Sequence, residues 1–206
     1  MSEFHALIAE YSDALLEIPD ALRARKELED EAAAHLTSGQ HVCIRGFWRI
    51  GKTTLLKGML KQACERSGGA AIYLDLRDPE RDDGLPQTVQ SVLGRIEAKV
   101  NEFLKRVGAV ELKADALRPL SILGELAAPI YVGFDELIAL THFGSEDFAK
   151  MVSALLATPK NVRVVVVCHR HRDADALFEE HVVLSPNMAT LFVPSISDDE
   201  LVQLVQ

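Results

Sequence analysis

Apolar and polar positions follow two periods along this chain, and the changes of period mark its elements. Residues 3–16 carry Phe4, Leu7, Ile8, Tyr11 and Leu15 at helical spacing, which lines one face of a helix. The pattern breaks at Ile18-Pro19-Asp20, because proline removes a helix donor and clashes with the preceding turn. A second helix is predicted from about Ala21 to Leu36, stopped by Ser38-Gly39. Beyond it, short apolar runs alternate with helical patterns. Strands are predicted over 41–45, 70–75, 129–134, 162–168 and 189–193, with helices over 52–66, 86–107, 114–126, 145–157 and 173–180. The run Val162 to Cys168, VRVVVVC, is β-branched almost throughout, as befits a central parallel strand buried on both faces. This alternation predicts an α/β fold, a mainly parallel sheet with helices on both faces. Ser145, ahead of Glu146 and Asp147, is the expected N-cap of its helix. Ser197 and Glu200 form a capping box that predicts a last helix.

Composition narrows the class. The chain has 206 residues and is 48% hydrophobic, enough for the core of one domain without disulfides. Cys43 and Cys168 fall on predicted buried strands and Cys64 on a helix. Three cysteines without metal-ligand spacing read as free thiols in a reducing compartment. The N-terminus, MSEFHALIAEYSD, is acidic and amphipathic, unlike a secretory leader. No apolar run reaches the length of a membrane span. A cytoplasmic protein without membrane association is expected. The net charge of −9 gives no support to nucleic-acid binding, which favours basic surfaces.

The chemistry concentrates in two segments. Gly46-Phe47-Trp48-Arg49-Ile50-Gly51-Lys52-Thr53, followed by Thr54, is a complete G-x-x-x-x-G-K-[ST] run between the strand Val42-Cys43-Ile44 and a helix. Such a loop cradles phosphates with its backbone N–H groups and the positive end of the helix. Lys52 would neutralise the outer phosphates, and the Thr53 hydroxyl would ligate Mg²⁺. The second segment, Ile130-Tyr131-Val132-Gly133-Phe134-Asp135-Glu136, is an apolar strand ending in two carboxylates. Asp135 would hold Mg²⁺ opposite Thr53, and Glu136 would polarise the attacking water. A Glu directly after the metal-binding Asp suggests a P-loop sandwich with an additional strand between these two. The strand Val162 to Cys168 fits that place and sets His169 at the carboxyl edge of the sheet, where ligands bind. His169 is then either a γ-phosphate sensor or a strand-end residue bonding nearby backbone. Phe47 and Trp48 either pack against the N-terminal helices or meet a partner. Asp75 reads as a strand-end cap.

Together these residues resemble a AAA+-related P-loop ATPase, in particular the archaeal-type ATPase group of the STAND NTPases (signal-transduction ATPases with numerous domains). The resemblance rests on Gly46 to Leu56, with Arg49 just before Ile-Gly-Lys, on Ala71 to Arg77, on Phe134-Asp135-Glu136, and on Val164 to His169. It spans roughly residues 18–205 and implies three parts: an N-terminal helical segment (1–38), an ATPase core (39–195) and the first helix of a truncated or missing lid (196–206). It also implies that the P-loop strand is central, beside 162–168, and that Ile18 and Pro19 lie near the adenine. The implied function is Mg²⁺-dependent ATP hydrolysis driving a conformational switch, with a protein partner or further copies completing the site. The basic run His169-Arg170-His171-Arg172 is either a solvated loop or a source of phosphate contacts. The alternatives are a nucleotide-dependent binding module with little hydrolysis, a helper ATPase acting on DNA, and a phosphotransferase. Glu136 argues against the last.

Overall fold

A computed structural model of the chain describes residues 26–115, 117–169 and 175–194. The expected helix at 3–16, Ile18 and Pro19, Arg170 and Arg172, and the last helix at Ser197 lie outside these residues. Among these residues five strands form one parallel sheet: β1 (His41–Gly46), β2 (Ala70–Asp75), β3 (Ile130–Asp135), β4 (Val162–His169) and β5 (Met188–Phe192). Their order is β2-β3-β4-β1-β5. β1 is thus interior, and β4 is the additional strand between β1 and β3. Val42 pairs with Val165, and Gly46 with His169. The fold is the three-layer α/β sandwich of P-loop NTPases with a central parallel sheet.

The period of two sorts the strand residues between two cores. Val42, Ile44, Ala71, Tyr131, Val165 and Val167 pack under α1 (Lys26–Thr37) and α2 (Lys52–Ser67). Cys43, Ile72, Val132, Phe134, Val164 and Val166 pack on the other face, under α3 (Val89–Arg106) and α4 (Ser145–Leu156). α3 presents Val92, Ile96, Val100 and Phe103 to that core, and α4 presents Phe148, Met151, Val152 and Leu155. Each such side chain contributes about 1.5–3 kcal/mol on burial. The helix α2 comes close to β3 at Gly133, where a Cβ would stand 2.7 Å from Leu60 and 2.9 Å from Leu56. That close approach carries the start of α2 toward the end of β3.

Local signals explain the differences from expectation. The helix expected at 114–126 is only a short 3₁₀ turn, Ser121–Glu125. Pro119 interrupts the pattern, and the Asp115 carboxylate accepts the N–H groups of Leu117 and Arg118 in a turn. Gly144, with φ 86°, caps α4 in place of Ser145, which is the first helical residue. Thr88 and Ser91 cap α3 reciprocally. The expected helix at 173–180 is, in the described part, α5 (Asp175–Phe178), continued by a wider turn over Glu179–Val183. All three cysteines are free and buried, and the Cys43 and Cys168 sulfurs lie 3.6 Å apart.

One buried polar contact holds the start of the β1–β4 pairing. Val164 N–H donates to His41 Nδ1 at 3.0 Å, which requires a neutral imidazole. Burial, then the charge of Arg163, pulls the His41 pKa down from 6.5 to about 4. A base with a depressed folded-state pKa stabilises fully above its unfolded value and loses that contribution as pH falls toward its folded one. Stability is therefore expected to drop between pH 6.5 and about 4, by up to about 3 kcal/mol. Urea unfolding across that window checks this; a His41→Gln chain should lack this part of the pH dependence.

Candidate functional site

Between Gly46, the last residue of β1, and Lys52, the first of α2, the chain makes a loop with Arg49 at φ 58° and Gly51 at φ 82°. The second value belongs to the left-handed region that glycine enters without strain. Gly51 caps α2 without a side-chain hydrogen bond, so the first N–H groups of the helix keep their partial positive charge for an anion. Lys52 is 4% exposed, and its Nζ donates to the Phe47 carbonyl. Burial lowers the Lys52 pKa, opposed by the charges of Glu136 and Asp135.

The end of β3 supplies the carboxylates. Asp135 Oδ2 accepts the Thr53 hydroxyl at 2.7 Å and the Tyr73 hydroxyl at 3.1 Å; Oδ1 accepts Glu136 N–H at 3.0 Å. Desolvation still raises the Asp135 pKa. Burial and the neighbouring Asp135 raise that of Tyr73, which keeps it a proton donor. Glu136 adopts φ 58°, a left-handed backbone that costs a non-glycine residue about 1–3 kcal/mol and persists where its surroundings enforce it. Its Oε2 lies 2.7 Å from His169 Nε2, and this hydrogen bond is the main cause of its lowered pKa. His169 is 3% exposed, and its Nδ1 is buried with no hydrogen-bond partner among the described residues. The Trp48 indole stacks on the imidazole with centroids 4.5 Å apart and planes 22° off parallel.

These groups converge on a cleft of about 430 Å³ lined by Trp48, Arg49, Gly51, Lys52, Thr53, Arg77, Asp135, Glu136, Val167 and His169. Of the other residues marked in the sequence, Gly46 closes β1, Phe47 is exposed, Ile50 turns into the core beneath the loop, and Thr54 belongs to the first turn of α2. His169 bonds a carboxylate rather than backbone. Trp48 packs on His169, a contact beyond the two named in the sequence analysis. Asp75 accepts the Arg77 N–H at 2.9 Å and its guanidinium through both oxygens.

Sequence reasoning passed over Tyr73 and Arg77. Tyr73 shares a strand face with Asp75, two residues on, and that spacing was the available signal. Arg77, with Trp48, also borders a neighbouring space of about 810 Å³ between the end of β2 and α3. The Thr53 hydroxyl and the Asp135 carboxylate offer hard oxygen donors 2.7 Å apart. Such a pair suits Mg²⁺, which takes few protein oxygens and completes its shell with phosphate and water. Among the described residues, no group of three His, Cys, Asp or Glu forms a metal centre.

No protein-family model matches the chain, and no curated protein matches its sequence. Solved structures do match in shape. The chain is similar to the Aeropyrum pernix ORC1 protein, determined in complex with DNA, at 15% identity and TM-score 0.58 over 88% of this chain. It spans 48% of that ORC1 chain. It is also similar to a chain of Drosophila ORC bound to GC-rich DNA and Cdc6, at 11% identity and TM-score 0.53, covering 91% of this chain and 64% of that one. A chain of Drosophila ORC bound to DNA aligns at 10% identity and TM-score 0.51, covering 90% and 99%. At such identities the likeness is one of fold. No helix among the described residues is long and apolar enough to cross a membrane.

Proposed function

We propose that this chain is a Mg²⁺-dependent ATPase of the AAA+ kind that works as a nucleotide-driven switch. The observation that carries the reading is the convergence of Lys52, Thr53, Asp135, Glu136 and His169 on one cleft at the carboxyl edge of the sheet. Lys52 and the uncapped start of α2 would bind the phosphates. Thr53 and Asp135 would hold Mg²⁺, which neutralises charge on the phosphates when bound. Glu136, ionised and fixed by His169, would accept hydrogen bonding from the attacking water and draw off its proton. Tyr73 would hold the Asp135 carboxylate in place. Catalysis by such a site is mostly positioning and fixed charge.

Phosphate release from Mg²⁺-ATP, measured against protein concentration, tests this. The expected result is hydrolysis whose specific activity rises with concentration, because a neighbouring copy completes the site. Failure to bind Mg²⁺-ATP would overturn the reading. A helper role on DNA is the second reading, favoured by the DNA present in the structures of similar shape. It requires salt-dependent DNA binding by a chain whose net charge is −9.

A further inference from the structure

We propose that Trp48 is a positioning residue for hydrolysis: its indole, stacked on His169, holds the imidazole against Glu136 and so fixes where that carboxylate points. The inference rests on the ATPase reading above and assigns a role to a loop position that phosphate binding leaves free. The loop binds through backbone donors, so nothing in phosphate recognition asks for an indole there.

The geometry explains why one is useful. Glu136 leaves β3 through a left-handed residue, so its side chain does not continue the strand. His169 Nε2 is its side-chain partner at 2.7 Å. Among the described residues the imidazole is anchored at that edge, since its Nδ1 is buried with no hydrogen-bond partner there. A ring held at one edge can swing about that bond unless its face is packed. Trp48 packs that face, at 4.5 Å and 22°, an arrangement that aromatic pairs favour. The β1–β4 register makes the contact possible. Gly46 pairs with His169, so the residues just beyond β1 lie next to the end of β4. Trp48 nonetheless remains 59% exposed, and it borders both the cleft and the space beside it. Core burial therefore does not account for it.

The test uses the whole chain with Trp48→Ala and Trp48→Phe, following Mg²⁺-ATP binding by calorimetry and turnover by phosphate release. Trp48→Ala is expected to lower kcat about ten-fold, the scale of a modest misplacement of a reacting group. KM and binding should stay within about two-fold. Trp48→Phe, which keeps a stacking ring, should restore most of the loss. Adding Trp48→Ala to His169→Ala should cost little beyond His169→Ala alone, because Trp48 acts only through that imidazole. Trp48 is the single tryptophan of the chain, so its emission reads the contact directly. His169→Ala alone should change that emission.

Turnover by Trp48→Ala equal to that of the unmutated chain would overturn the inference and leave the ATPase reading standing. Loss of binding in step with kcat would also overturn it, assigning Trp48 to the shape of the loop. An emission indifferent to His169→Ala would show that the stack does not form. Absence of Mg²⁺-ATP binding or turnover in the unmutated chain would overturn the ATPase reading and this inference with it.

Discussion

Glu136→Gln is expected to leave Mg²⁺-ATP binding nearly unchanged and to lower turnover about 10²–10⁴-fold, the usual contribution of a positioned general base. The substitution is nearly isosteric. A glutamine oxygen still accepts the hydrogen bond that His169 Nε2 makes at 2.7 Å, so the cleft keeps its shape. What disappears is the proton acceptor. The hydrogen bond from His169 holds the Glu136 carboxyl below the usual range, which keeps it ionised across neutral pH. Single-turnover phosphate release, read beside calorimetric binding, separates the two effects. Turnover within about three-fold of the unmutated chain would remove Glu136 from the chemistry. A parallel loss of binding would assign it to nucleotide affinity instead.

Lys52→Ala is expected to act at the other step and weaken Mg²⁺-ATP binding about 100-fold or more. Hydrogen bonds to charged groups contribute about 1.5–3 kcal/mol each, and Lys52 would address two phosphates at once. The fold is expected to survive. Lys52 is a desolvated cation whose Nζ reaches the Phe47 carbonyl, and removing a charge held away from water relieves part of its burial cost. The attraction of Lys52 to Asp135 and Glu136 is lost at the same time, so thermal unfolding of Lys52→Ala should stay within about 5 °C of that of the unmutated chain. Retained affinity would overturn the placement of the phosphates. A collapsed melting temperature would show that Lys52 is structural.

Much of this arrangement was legible in the sequence, for identifiable reasons. The short, β-branched run of β4 reads as a strand buried on both faces. The G-x-x-x-x-G-K-T spacing and the two acids ending β3 mark positions that lie at the same sheet edge whenever the strands run parallel. Lys52, Thr53, Asp135, Glu136 and His169 followed from that. The stack of Trp48 on His169 was not legible, because it depends on a register between strands far apart in sequence. Nor was the hydroxyl of Tyr73 on Asp135, which needs β2 and β3 to be neighbours. The helix expected over 114–126 failed for a local reason. Its apolar residues are spaced for a helix, but Pro119 and the Asp115 turn compete for the same backbone.

The interior position of β1 also sets an order of events during synthesis. The strand that carries the phosphate loop pairs on one side with β4 and on the other with β5; His41 and Val164, its first contact with β4, are 123 residues apart. At about 5–20 residues per second, a ribosome takes about 6–25 s to cover that distance. For that interval the emerging chain already contains a complete phosphate-binding motif with nothing to close it, and an apolar strand with both edges bare. A nascent chain halted before β4 would be a client for chaperones and a seed for aggregation.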